Sequence, residues 1–146
     1  MPKANGSPLI IDCHGHYTTA PKALENWRNQ QIAGIKDPAA KPKVADLKIS
    51  DDDIRETILA NQLRLMNERG NDMTLFSPRA SFMAHHIGDF EVSSTWAAIC
   101  NELCYRVSTL FPEHFVPVAM LPQSPGVDPA TCIPELEKCV KEYGAV

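Results

Sequence analysis

Short β-branched runs alternate with longer amphipathic stretches along this chain, and that alternation limits its architecture more than any other feature. Pro8-Leu-Ile-Ile-Asp-Cys13, Asp72-Met-Thr-Leu-Phe76 and Phe115-Val-Pro-Val-Ala-Met-Leu121 each read as a strand. Between them, apolar residues recur three and four apart. Leu24, Trp27, Gln31 and Ile32 mark a short helix that opens at Pro21 and stops near Gly34. Ile54, Ile58, Leu59, Leu63 and Met66 mark a second, with Ser50 as its cap, Asp51, Asp52 and Asp53 at the positive end of its dipole, and Gly70 as its stop. Trp96, Ile99, Cys100, Leu103, Cys104, Val107, Leu110 and Phe111 mark the longest, and the histidines before it, His85 and His86, fall in a polar loop with Asp89. A last helix follows Asp128-Pro129, carries Ile133, Leu136 and Val140 on one face and ends at Gly144, after which Ala145-Val146 reads as the start of a fourth strand. Strands that alternate with helices in this way lie parallel and are joined by right-handed crossovers, so the expected class is α/β.

The 146 residues suggest one domain, spanning 1–146. Acidic residues number 18 against 14 basic, and no Lys/Arg cluster stands out, so neither nucleic acid nor an anionic membrane is an expected partner. The strongly apolar runs are too short to span a bilayer, and Met1-Pro-Lys-Ala-Asn-Gly-Ser7 has no secretory apolar core, so a cytoplasmic address is expected. Five cysteines is an odd count with no C-x2-C pair; Cys100, Cys104, Cys132 and Cys139 fall at apolar helical positions and are expected to be buried free thiols.

Asp12-Cys13-His14-Gly15-His16 carries the chemistry. Side chains two apart on a strand share a face, so Asp12, His14 and His16 are expected to project together, with Cys13 opposite. The motif closes the first strand, at the end where parallel α/β folds keep their active sites. Two neutral imidazoles there can hold one divalent metal ion, and the glycine between them lets backbone or ligand approach closely. The competing reading is a set of polar residues in an ordinary strand-to-helix loop.

An apolar strand running into Asp-x-His-x-His resembles the opening of the amidohydrolase superfamily of metal-dependent (β/α)8 barrels. Thr74-Leu-Phe-Ser-Pro-Arg79 and Met120-Leu-Pro-Gln123 are similar to the branch that contains aminocarboxymuconate-semialdehyde decarboxylases. Within it, Ile11–Thr19, Leu75–Ala80 and Ala119–Pro125 resemble the 4-oxalomesaconate hydratases. The resemblance implies a Zn²⁺-dependent lyase. It would add water to 4-oxalomesaconate or its enol tautomer, giving 4-carboxy-4-hydroxy-2-oxoadipate in bacterial protocatechuate or gallate degradation. It implies His14 and His16 as metal ligands and a homo-oligomeric complete enzyme. A decarboxylase of the same branch, or a small α/β binding module without catalysis, are the alternatives.

A substrate rich in carboxylates needs cations, and Arg79, just past the second strand, offers a planar fork suited to one of them. His86, with its neighbour His85, is a candidate for proton transfer, and Tyr17, beside the metal motif, for orienting substrate. His114 precedes the third strand, at the end away from the chemistry, and reads as surface. A closed barrel of this kind takes about 250 residues. The chain has room for three βα units and the start of a fourth strand, so it is expected to be the N-terminal portion of a longer enzyme and inactive alone.

Overall fold

The computed structural model describes residues 6–79 and 82–146. Three parallel strands form one sheet in the order β1 (Ile11–His16), β2 (Met73–Ser77), β3 (Phe115–Pro117). Each crossover is helical. Helix α1 (Lys22–Ala33) is followed by α2 (Asp51–Thr57), which runs through a π-helical turn at Ile58–Leu63 into α3 (Arg64–Arg69). The long α4 (Phe90–Leu110) joins β2 to β3, and α5 (Ile133–Tyr143) follows β3. The βα alternation expected from the sequence is therefore present, as a sheet and helix layer consistent with part of a barrel.

Local chemistry explains most boundaries. Ser50 accepts the Asp53 amide at 3.1 Å while the Asp53 carboxylate accepts the Ser50 amide at 2.8 Å, a reciprocal cap that starts α2. Gly70 stops α3 at φ 69°, in the left-handed region where glycine pays no steric penalty. Helix α4 begins six residues before Trp96, because Asp89 in the polar loop accepts the Val92 amide at 3.0 Å and caps it. Strand β3 is shorter than its apolar run. Among the described residues no fourth strand forms, although the Val146 amide donates to the Pro117 carbonyl at 3.1 Å along the open side of β3.

The core lies between the sheet and helices α1, α2 and α4. Phe76 packs 4.8 Å from Phe115 and 5.3 Å from Tyr17 between ring centres, and Trp27 stacks on Trp96 at 6.2 Å. Cys100, Cys104, Cys132 and Cys139 are buried free thiols, as expected, and Cys13 is exposed. Two groups of apolar residues stay open to solvent. The α5 stripe of Ile133, Leu136 and Val140 is 40–52% exposed, because α5 meets α4 through Cys139 and the stack of Tyr143 on Tyr105. Ile10 and Ile11 are also half exposed, at the open edge beside β1.

Candidate metal centre

The C-terminal end of β1 is held against β2 by a register that slips once. Ile11 and Asp12 pair with Met73 and Thr74, whereas Gly15 and His16 pair with Phe76 and Ser77, so β1 carries one extra residue between. The bulge breaks the simple alternation expected from the sequence. Asp12 lines the same cavity as the two histidines, but its carboxylate accepts the His14 amide at 3.0 Å, and among the described residues the three form no metal-binding group. His14, within the slip, and His16, beyond it, do converge. Their Nε2 atoms are 3.1 Å apart, with the rings edge to face at 4.7 Å.

Two nitrogens at that spacing can share one ion at the zinc–nitrogen bond length of about 2.0–2.1 Å, so the pair fits a divalent metal. Among the described residues no third His, Cys, Asp or Glu side chain joins them. On its far side the His16 ring is anchored: Nδ1 lies 2.9 Å from the Pro78 carbonyl and 2.6 Å from the Ser77 hydroxyl. Gly15 owes its place to space. A Cβ there would lie 2.1 Å from Thr74 Cγ2, closer than atoms can pack.

The pair borders a cavity of about 370 Å³ that sequence reasoning missed, lined also by Thr18, Thr19, Asn61, Gln62 and Arg69. The π turn brings Asn61 and Gln62 to this wall, and Thr19 donates to Gln62 Oε1 at 2.6 Å. The one sequence sign was a pair of amides, Asn61-Gln62, next to the apolar positions of an otherwise ordinary helix.

The other candidates separate. Arg79 is half-buried, with its guanidinium carbon 4.5 Å over the Phe82 ring and no carboxylate partner among the described residues. His86 is exposed and, with His85, Gln123 and Ser124, lines a second depression between the loops after β2 and β3. His85 is tied to the Ser93 hydroxyl at 3.0 Å; burial, with the Arg28 charge nearby, pushes its pKa down. Tyr17 is not at the cavity. It is 1% exposed, its hydroxyl donates to Thr57 Oγ1 at 2.6 Å, and burial raises its pKa to about 12. The residue after a strand-end motif was expected beside the substrate; here the chain turns and drives the ring into the core against Phe76. His114 is half-buried at the N-terminal end of β3, 3.3 Å from the Asp72 carbonyl, away from the histidine pair as expected.

Known proteins share both the sequence and the fold. The chain is 59% identical over 138 residues to 2-keto-4-carboxy-3-hexenedioate hydratase of Sphingobium sp. (strain NBRC 103272 / SYK-6), covering 94% of the chain and 40% of that protein. It superposes on the crystal structure of 4-oxalomesaconate hydratase from Rhodopseudomonas palustris with TM-score 0.89 and 72% identity, again over 94% of the chain and 40% of the relative. A dihydroxybenzoic acid decarboxylase from Polaromonas sp. JS666, solved with bound manganese, shares the fold at TM-score 0.59 and 24% identity, over 94% of the chain and 36% of that protein. The chain thus spans about two-fifths of the length of the hydratases it matches. The amidohydrolase family profile matches residues 11–146, and the chain belongs to the amidohydrolase family.

Proposed function

We propose that this chain supplies part of the active site of a metal-dependent hydro-lyase that adds water to 4-oxalomesaconate or its enol tautomer. The convergence of His14 and His16 Nε2 atoms to 3.1 Å at the sheet's C-terminal end carries the proposal. The identity to two hydratases, 59% and 72%, supports it.

The chemistry follows from the substrate named for the Sphingobium relative, whose C3=C4 double bond is conjugated to a C2 ketone. Water oxygen bonds to C4, the electron-poor end. The π pair moves toward C3 and the C2 oxygen, and a proton is delivered to C3 as the attacking water gives up one of its own. The product is 4-carboxy-4-hydroxy-2-oxoadipate. In this reading His14 and His16 hold Zn²⁺, which supplies fixed positive charge for an oxygen that gains charge during the addition. Arg79, free of any acidic partner among the described residues, takes a substrate carboxylate through its planar fork. His86, exposed on the loop after β2, is the proton-transfer candidate of this chain. Tyr17 is assigned a packing role instead of a substrate contact, since its hydroxyl is spent on Thr57.

A cytoplasmic location is part of the proposal, in keeping with the free thiols of all five cysteines. Among the described residues no helix is long and apolar enough to cross a membrane.

The test uses the full-length protein that carries this chain. Loss of the conjugated substrate's ultraviolet absorbance, with the hydrated product identified by mass, is the expected result. Release of CO2 from the same substrate would make the protein a decarboxylase and overturn the hydratase reading. Replacing both His14 and His16 by Ala should abolish stoichiometric zinc; undiminished zinc would overturn the metal assignment.

A further inference from the structure

Imidazole has two nitrogens, and only the one without a proton can bind a metal. Which nitrogen that is at His16 is decided by its surroundings. Nδ1 lies 2.9 Å from the Pro78 carbonyl, and a carbonyl oxygen can only accept. That contact favours a hydrogen on Nδ1. The Ser77 hydroxyl lies 2.6 Å from the same nitrogen and 2.9 Å from the Gly15 carbonyl. With Nδ1 protonated, the hydroxyl must receive from it and send its own hydrogen to the Gly15 carbonyl. The result is a directed chain: His16 Nδ1–H to Ser77 Oγ, and Ser77 Oγ–H to the Gly15 carbonyl. The one Nδ1 hydrogen is shared between Ser77 Oγ and the Pro78 carbonyl, and a bare Nδ1 would instead set its lone pair against that carbonyl.

We propose that Ser77 is a positioning residue for the metal centre: its hydroxyl, working with the Pro78 carbonyl, holds His16 as the Nδ1–H tautomer and presents the bare Nε2 toward His14. The strand register makes this possible. His16 and Ser77 are cross-strand partners in the parallel pair beyond the bulge, so the hydroxyl sits beside the ring and not one residue away. The same hydroxyl ties down the Gly15 carbonyl, which belongs to the peptide between Gly15 and His16. It therefore fixes both the backbone from which the ligand springs and the ring itself. Partners of this kind raise metal affinity by removing ring orientations and tautomers that cannot bind.

The proposal rests on the metal reading above, and its first readout needs no metal. Long-range ¹H–¹⁵N spectra of the metal-free full-length protein should show His16 with Nδ1 protonated and Nε2 bare. Ser77→Ala should give a mixture of the two tautomers and raise the zinc dissociation constant about tenfold or more. Ser77→Thr, which keeps the hydroxyl and suits a strand, should restore both. An Nε2-protonated His16 in the wild-type protein would overturn the proposal. So would Ser77→Ala that leaves the tautomer unchanged, even with weaker zinc binding, since loosened strand pairing alone would produce that. Failure of the metal reading has its own signature, zinc stoichiometry untouched by the double alanine variant of His14 and His16, and the tautomer spectrum decides the role of Ser77 independently of it.

Discussion

Replacing Gly15 by Ala adds a single methyl group at the tightest point of the site. That Cβ would lie 2.1 Å from Thr74 Cγ2, 3.3 Å from the Leu75 carbonyl oxygen and 3.6 Å from Thr74 Cβ. Carbon atoms pack at about 3.5–4.0 Å, so something must move by more than about 1 Å. The threonine is poorly placed to yield. It is 5% exposed, and its hydroxyl receives from Asn71 Nδ2 at 3.3 Å and approaches Met66 sulfur at 3.5 Å. The strain falls on β1 itself, and Gly15→Ala should cost about 3 kcal/mol, the upper end for overpacking. Thr74→Ser deletes the offending methyl, keeps the hydroxyl and should cost about 1 kcal/mol alone. In the double variant the nearest remaining contacts are the 3.3 and 3.6 Å ones, which a small shift accommodates. The two substitutions should therefore be coupled by about 2 kcal/mol, the double variant being more stable than Gly15→Ala. Urea unfolding of the full-length protein, followed by tryptophan fluorescence, measures this cycle, and zinc titration of the same four proteins should rank them in the same order. Gly15→Ala within 0.5 kcal/mol of wild type, or additive costs in the double variant, would refute the steric reasoning.

Three further outcomes follow from the same structure. Arg79→Ala should weaken transition-state binding of the anionic substrate by about 2–4 kcal/mol, with Arg79→Lys recovering only part because the fork is lost; unaltered kcat/KM in the alanine variant would remove Arg79 from the site. Tyr17→Phe should cost about 1 kcal/mol of stability, for the hydroxyl given to Thr57, and leave kcat and KM unchanged; a large fall in kcat would return Tyr17 to the chemistry. The purified 146-residue chain should show no turnover and should self-associate through its half-exposed Ile10, Ile11, Ile133, Leu136 and Val140; a monomer by sedimentation that hydrates 4-oxalomesaconate at an enzymatic rate would contradict this.

What the residue order determined by itself was local. Strands and helices follow from spacings of two and of three to four residues, which need no partner to be read, and the caps at Ser50 and the stops at Gly70 and Gly144 act within one turn. The histidine pair was legible for the same reason, since two residues apart on one strand is a local relation. Tertiary structure decided whatever depends on a neighbour. A slipped register between β1 and β2 set Gly15 and His16 opposite Phe76 and Ser77, and register is a property of two strands. A turn of the chain after His16 buried Tyr17 against Phe76 rather than leaving it beside substrate. The apolar stripe of α5 is plain in the sequence, but only the tertiary structure shows that Ile133, Leu136 and Val140 stay exposed while Cys139 and Tyr143 make the contact with α4. The cavity walled by Asn61 and Gln62 likewise arises where a π turn from one part of the chain faces a strand end from another, and no single stretch of sequence contains both.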